Sequence, residues 1–276
     1  MPPAYLDILD QKRYSDSTKE VYVSYFKEFA RFFKGRKLEE IMAEEINEYI
    51  LTLIREENIS SSQQNQRINA IKFYYEKVLG KEKLYITIRR PKKVKNMPST
   101  LSFNEIKNMI IKTDNLKHKC IIGLLYSAGL RRSELVHIKI TDISSAQMLI
   151  KIRQSKGNKD RYIGLSKYML ELLRAYYKEY RPKEWVIEGQ SGGQYSAESV
   201  LKVVKTAAKK AGIHQNVTPH MLRHSFATHH LENGTDLRYI QEFLGHSSSK
   251  TTEIYTHVAK TDLLKFKNPL DEMYDD

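Results

Sequence analysis

The apolar residues after Ser17 fall into a helical rhythm. Val21, Tyr22, Tyr25, Phe26, Phe29 and Phe33 recur at three- and four-residue steps, which puts them on one face of a 3.6-residue turn. Ser17 and Glu20 have the spacing of a capping box, so a first helix is expected to begin there. Gly35 offers its stop. A second helix is expected through IMAEEINEYILTLIREEN and a third through ISSSQQNQRINAIKFYYEKVLG, ending near Gly80. The aromatic stripe reads as core rather than as a base-stacking surface. Residues 1–88 are therefore expected to form a small helical bundle. The segment RRPKKVKNMPST breaks the pattern: it is basic, holds two prolines and has no period, which marks a linker over 89–98.

A second domain is expected over 99–276. It opens with Ser102 and Glu105 at capping-box spacing, followed by an apolar helix in KCIIGLLYSAG. In MLIKIRQSKGNKDRYIGL, Met148, Ile150 and Ile152 alternate, a Gly-Asn turn follows, and a strand resumes at Tyr162. This predicts a hairpin. WVIEG is expected to add a third strand, and the remainder reads as helix. The fold class is thus mainly α with a small β-sheet. The chain shows no repeats and no low-complexity tract.

Composition narrows the class. The 276 residues are 41% hydrophobic and 29% charged, as in a water-soluble globular protein, and no apolar run is long enough to span a bilayer. The N-terminal MPPAYLDILDQKRYSD lacks the charged start and apolar block of a secretory leader. The single cysteine, Cys120, excludes an internal disulfide and a multi-cysteine zinc site, and its apolar setting places it in the core. An intracellular, cytoplasmic location is expected. The formal net charge is +13, and both halves contribute: 19 Lys and Arg against 14 Asp and Glu before residue 98, 27 against 19 from there on. A protein that embraces a polyanion from two sides needs that distribution.

The chemistry concentrates in TPHMLRHSFATHHL, residues 218 to 231. Thr218 is a good N-cap and Pro219 suits the first helical position. His220 and Arg223 then share the first turn and one face, where unpaired backbone N–H groups also point. Histidine, arginine and helix N-terminus together make an anion site. His224 stands four residues from His220, as metal ligands do, but the glutamate of HEXXH is missing and no third ligand lies nearby in sequence, so no metal is expected. Upstream, SAGLRRSELVHI puts Arg131 at a helix start with Glu134 three residues on, able to hold its guanidinium. Downstream, Gly245 stops a helix, His246 follows it, and Tyr255 comes nine residues later.

Taken together, GLRRSEL, SKGNKDR, HMLRH, LGHSS and TTEIYTHV resemble the signature of the tyrosine recombinase (phage integrase) family, in its order, and the Xer-type members most of all. STKEVYVSYFKEF and SSSQQNQRINAIKFYY also look like the family's N-terminal core-binding domain. One departure is Gly164 in YIGL, where the family's outgoing strand usually has proline. The resemblance implies a helical, SAM-like core-binding domain and a mixed α/β catalytic domain that close as a C-shaped clamp on DNA. It implies that Tyr255 attacks a phosphodiester to leave a 3′-phosphotyrosyl link. Arg131 and Arg223 would hold the phosphate, Lys156 would protonate the leaving 5′-oxygen, His220 would accept or orient the tyrosine proton, and His246 would donate to the phosphate. Lys159 is a rival for the role of Lys156. No cofactor, metal or ATP is implied. The implied partners are a double-stranded DNA recombination site and three further copies in a tetramer on two sites, assembled from a protein that can be monomeric when free. A related recombinase or an accessory DNA-bending protein could join them, near the nucleoid and away from membrane. The outcome would be integration, excision, inversion or dimer resolution. For DNA contact outside the site, Arg67 and Lys72 on the third helix and Arg132 beside Arg131 are the expected residues.

Each of these residues also has a plainer reading. Arg131 and Glu134 could be an ordinary helix ion pair, Lys156 a solvated turn residue, and Tyr255 one core tyrosine among 18. Two other functions share the residue pattern: a type IB topoisomerase-like nicking-closing enzyme, and a DNA-binding protein of this fold without catalysis.

Overall fold

The computed structural model describes residues 2–81, 88–92, 98–155, 159–245 and 252, with the backbone alone at 154, 155 and 159. It is mainly helical, and the chain divides into two compact units, residues 1–95 and 96–276.

In the first unit, α1 (Pro3–Gln11), α2 (Asp16–Phe32), α3 (Ala43–Glu56) and α4 (Ser61–Phe73) enclose an aromatic core. The expectation that the first helix begins at Ser17 is corrected twice. A helix precedes it: α1 starts on Pro3 and buries Tyr5 and Leu9, one turn apart. Tyr5 stacks on Phe26 with ring centroids 4.5 Å apart, and its hydroxyl donates to the Ala70 carbonyl at 3.0 Å. The cap of α2 is Ser15 rather than Ser17, because Asp16 already has helical geometry and the chain turns in one step earlier. The aromatic stripe is core at its centre, where Phe26 and Phe29 are fully buried. At α4, Ser60 accepts from the Gln63 N–H at 3.3 Å and Gln63 Oε1 from the Ser60 N–H at 2.9 Å. The start of the basic segment read as linker is tied to this bundle. Ile88 packs in the core, the Arg89 N–H donates to Asn47, and Arg90 donates to Asn65 and Asn69 at 3.0 and 2.8 Å.

The second unit opens with α5 (Phe103–Ile111), whose Ser102–Glu105 box is formed in both directions. Next comes α6 (Leu116–Ser127), buried continuously from Cys120 to Leu125. Burial pushes the Cys120 thiol up to about 12. Gly129 follows in the left-handed region at φ +55° and turns the chain into the short α7 (Arg132–Val136). Three antiparallel strands come next in the order β1 (Ile143–Ser144), β2 (Leu149–Ser155), β3 (Lys159–Gly164). Ile150 opposes Ile163 and Ile152 opposes Arg161. These four, with Leu165, are buried on one face. Met148 lies before the strand at φ +56°, so the strand starts at Leu149 and its buried alternation at Ile150. The outgoing strand begins at Lys159, not Tyr162.

WVIEG is not a strand of this sheet, and Ile143–Ser144 takes the third place. Trp185 makes an isolated bridge to Lys139, and the buried Glu188 carboxylate accepts the N–H groups of Lys183, Glu184 and Trp185 at 2.8, 2.7 and 3.3 Å. Backbone pairing here stops at that one bridge, with the Val186 N–H on the Ile138 carbonyl at 2.8 Å and the Ile140 N–H on the Glu184 carbonyl at 3.0 Å. Helices α8 (Lys167–Tyr180), α9 (Ala197–Lys210), α10 (Pro219–Glu232) and α11 (Leu237–Leu244) complete the unit. Ser225 of α10 accepts the Leu101 N–H at 2.8 Å, tying the unit's first residues to its central helix. No helix among the described residues is long and apolar enough to cross a membrane.

Candidate active site

Thr218 caps α10 as its sequence predicts: its Oγ1 accepts the Met221 N–H at 3.3 Å, and Pro219 fills the first helical position. One turn on, Arg223 is buried, with 2% of its side chain exposed. It donates to the Gly129 carbonyl and to the Leu244 carbonyl, both at 2.6 Å. Arg131 is the residue that caps α7. Its backbone N–H donates to Glu134 Oε2 at 2.8 Å and its Nη1 to Glu134 Oε1 at 2.7 Å. Glu134 therefore holds the Arg131 guanidinium, and Arg223 Nη1 stands 3.7 Å from the same carboxylate. Two arginines that are 92 positions apart in sequence meet around one acid.

A third arginine joins them that the motif reading passed over. Arg161 of β3 is 8% exposed, and its Nη1 and Nη2 donate to Glu134 Oε1 and Oε2 at 2.8 and 2.9 Å. Its Nε donates to the Phe243 carbonyl at 2.8 Å. A signal was present: Arg161 is in phase with Ile163 and Leu165, so a charge sits where the strand's alternation requires a buried side chain. Placing the strand start at Tyr162 hid that phase.

The end of α11 gathers all three. Arg161, Arg223 and Arg131 donate to the consecutive carbonyls of Phe243, Leu244 and Gly245, at 2.8, 2.6 and 3.4 Å. The last carbonyls of a helix lack internal partners and carry its negative pole, so guanidinium groups suit them. Gly245 closes the helix at φ +59°, the stop expected of it.

The electrostatics follow from this packing. Burial works to raise the Glu134 pKa, but the Arg161 bonds and charge, then the N–H and charge of Arg131, override it and hold the carboxyl at about 2. His220 lies at the solvent edge of α10 against His224, with ring centroids 5.1 Å apart. Partial burial of its ring, then the charges of Arg223 and Arg131, lower its pKa below the usual 6.5. For His224, burial, His220 and Arg223 lower it to about 4. In both, the surroundings favour the neutral ring.

Lys156, His246 and Tyr255 lie outside the described residues, as does the side chain of Lys159. Arg132 is exposed. Lys72 pairs with Glu76 at 3.0 Å. Arg67 is corrected: it is 6% exposed, pairs with Glu28 at 2.9 Å and lies over the Tyr25 ring at 4.1 Å. It is part of the bundle interior, because α4 turns that face toward α2, so it cannot reach a phosphate as an exposed side chain would.

Residues 99–262 match the model of the Phage integrase family, and residues 4–83 match that of the phage integrase N-terminal SAM-like domain. Among curated relatives, the tyrosine recombinase XerA of Pyrococcus horikoshii is 41% identical over 212 residues, 75% of this chain and 73% of that protein. The tyrosine recombinase XerA of Thermococcus onnurineus is 35% identical over 267 residues, 95% of this chain and 92% of that protein. A lambda integrase tetramer bound to a Holliday junction shares the fold at TM-score 0.75 and 20% identity, over 96% of this chain and 77% of that one.

Proposed function

The chain belongs to the phage integrase family, the tyrosine recombinases, and from that membership we propose how its own residues break and rejoin DNA at a specific site. The observation that carries the proposal is the meeting of Arg131, Arg223 and His220 at one end of α10, with the arginines steadied by Glu134.

Tyr255 is the nucleophile. Its hydroxyl oxygen attacks the phosphorus, the bond to the 5′-oxygen breaks, and a 3′-phosphotyrosyl link and a free 5′-hydroxyl result. A free tyrosine has a pKa near 10, so at pH 7 only about one in a thousand is ionised, a deficit of roughly 4 kcal/mol. His220, whose surroundings favour the neutral ring, can take that proton. The arriving phosphate adds negative charge beside it and raises its proton affinity as the tyrosine gives its proton up. Arg131 and Arg223 neutralise the charge that grows on the non-bridging oxygens, in planar contacts an ammonium does not reproduce. One such donor is typically worth about 10²–10³ in rate. Lys156 protonates the leaving 5′-oxygen and His246 donates to the phosphate. The linkage conserves bond energy, so a partner 5′-hydroxyl reverses the step without ATP. Exchange then needs four copies on two sites. The basic charge of both units supplies the phosphate contacts, with Lys72 and Arg132 among them.

Trapping on genomic DNA that flanks the gene, followed by mapping of the cleaved phosphate, yields the site. On a nicked duplex carrying it, where the released 5′-hydroxyl fragment diffuses away, the parent chain forms a covalent adduct resistant to denaturant. Tyr255→Phe keeps DNA affinity and forms none. An adduct with the Phe variant would show that another residue is the nucleophile.

A further inference from the structure

We propose that Arg161 is a positioning residue for the phosphate-binding pair: it fixes the plane of the Glu134 carboxylate, and through it the direction in which Arg131 and Arg223 present their guanidinium groups. The inference rests on the phosphate-clamp reading of the site.

A carboxylate held through a single oxygen can still swivel about its terminal bond. Glu134 does not have that freedom: besides one bond from Arg131 on each oxygen, Arg161 grips both oxygens in parallel from the buried side, at 2.8 and 2.9 Å. Such two-point contact sets a plane as well as a distance. Once the plane is set, Oε1 is aimed at Arg131 Nη1 and Oε2 at the Arg131 backbone N–H and toward Arg223. Arg161 is itself anchored at its far side, by Nε on the Phe243 carbonyl and by the pairing of its strand opposite Ile152. Its three nitrogens are engaged by protein acceptors and its side chain is buried, so it acts through Glu134 rather than on the phosphate. The same residue ties three elements to one frame: β3 that carries it, α7 through Glu134, and the end of α11 through Phe243. Lysine could keep the charge there but not the fork.

The test compares the parent with Arg161→Lys and Arg161→Met on two nicked duplexes carrying the mapped site. One has an ordinary scissile phosphodiester. The other has a methylphosphonate there, which removes the charge of one non-bridging oxygen and so relaxes the demand on the arginines. With the phosphodiester, Arg161→Lys is expected to form adduct about tenfold more slowly and Arg161→Met about a hundredfold, at unchanged DNA affinity, in line with losing part or most of one oxyanion donor. With the methylphosphonate, both deficits shrink severalfold. A structural role alone would slow both duplexes alike, and that outcome, or parental rates in both variants, overturns the proposal. Thermal unfolding checks that each variant is folded; if Arg161→Met is not, the ratio between duplexes for Arg161→Lys decides. Failure of the parent to form any adduct defeats the clamp reading itself, and this inference with it.

Discussion

Gly129 is where the packing of the second unit and the geometry of the site meet, and adding one methyl group there tests both. The residue sits at φ +55°, and a Cβ built on it would lie 2.6 Å from Phe226 Cδ1, 2.9 Å from Phe226 Cε1 and 3.1 Å from Leu244 Cδ2. Two costs follow for Gly129→Ala. The left-handed backbone costs an L-residue about 1–2 kcal/mol. The contact costs about 1–3 kcal/mol, as overpacking does where neighbours cannot yield. Phe226 is 4% exposed and Leu244 fully buried, so neither has room to move away. The alanine also loses less chain entropy on folding, which returns about 0.4–1 kcal/mol. The net loss is roughly 2–4 kcal/mol, which for a unit of this size lowers Tm by roughly 5–15 °C.

Two other glycines separate the terms. Gly212 lies at φ +80° with nothing within 4 Å of the added carbon, so Gly212→Ala carries the backbone cost alone. Gly164 has open space and an ordinary backbone, so Gly164→Ala carries neither. The expected order of Tm, from calorimetry on the purified variants, is Gly164→Ala near the parent, Gly212→Ala a few degrees lower, and Gly129→Ala lowest. Adduct formation should fall only in Gly129→Ala, because the Gly129 and Leu244 carbonyls are the ones that receive Arg223. Gly129→Ala within about a degree of the parent and at parental rate refutes the packing argument and the link to Arg223 together.

Acid should weaken the second unit through Glu134. Its folded pKa is about 2 against 4.5 when free, so the unfolded chain takes up the proton first as pH falls. The stabilisation is full above about pH 4.5 and lost toward pH 2, and about 2 kcal/mol of it is gone at pH 3. Urea unfolding at pH 6 and pH 3 should show that loss in the parent and not in Glu134→Gln; equal slopes in both dismiss it. Arg67→Met should leave Tm unchanged or raised, because the Glu28 carboxylate, 39% exposed, stays in reach of water when its partner goes. DNA affinity and its salt dependence should not move. A tenfold loss of affinity in a folded Arg67→Met chain would restore Arg67 to the DNA surface.

What the sequence made legible was local or motif-borne. The Ser102–Glu105 box and the Thr218–Pro219 start each depend on residues within one turn, and they form as their spacing predicts. The same spacing misled at Ser17, because Ser15 competes two residues earlier and a spacing rule cannot rank the two caps. Helix α1 buries only Tyr5 and Leu9, too few positions for a period to emerge. Arg67 lies on a helix that buries Gln64 and Arg67 beside Ile68 and Ile71, so polarity did not mark the outward face. WVIEG has the composition of a strand, but it pairs through a single bridge to Lys139 beside a turn that the Glu188 carboxylate holds, which no pattern of apolar residues registers.

The arginine cluster shows why a site can be read by motif while its support is not. Among the described residues, Arg131, Arg161 and Arg223 bring three positive charges to the one carboxylate of Glu134, an excess that a buried site tolerates poorly. The shortfall in negative charge is met in part by backbone: four carbonyls, those of Gly129, Phe243, Leu244 and Gly245, accept from the three side chains. Carbonyl dipoles stabilise a cation without cancelling its charge, so the cluster stays positive and oriented before DNA arrives. On the proposed function a phosphate supplies the further anion, and little reorganisation is needed when charge builds in the transition state. The carbonyls belong to Gly129 after α6 and to the last turn of α11, positions whose side chains carry no chemistry. Sequence spacing can name the charged members of such a site, but the backbone that balances them is set by where two helices end, and only the fold brings those ends together.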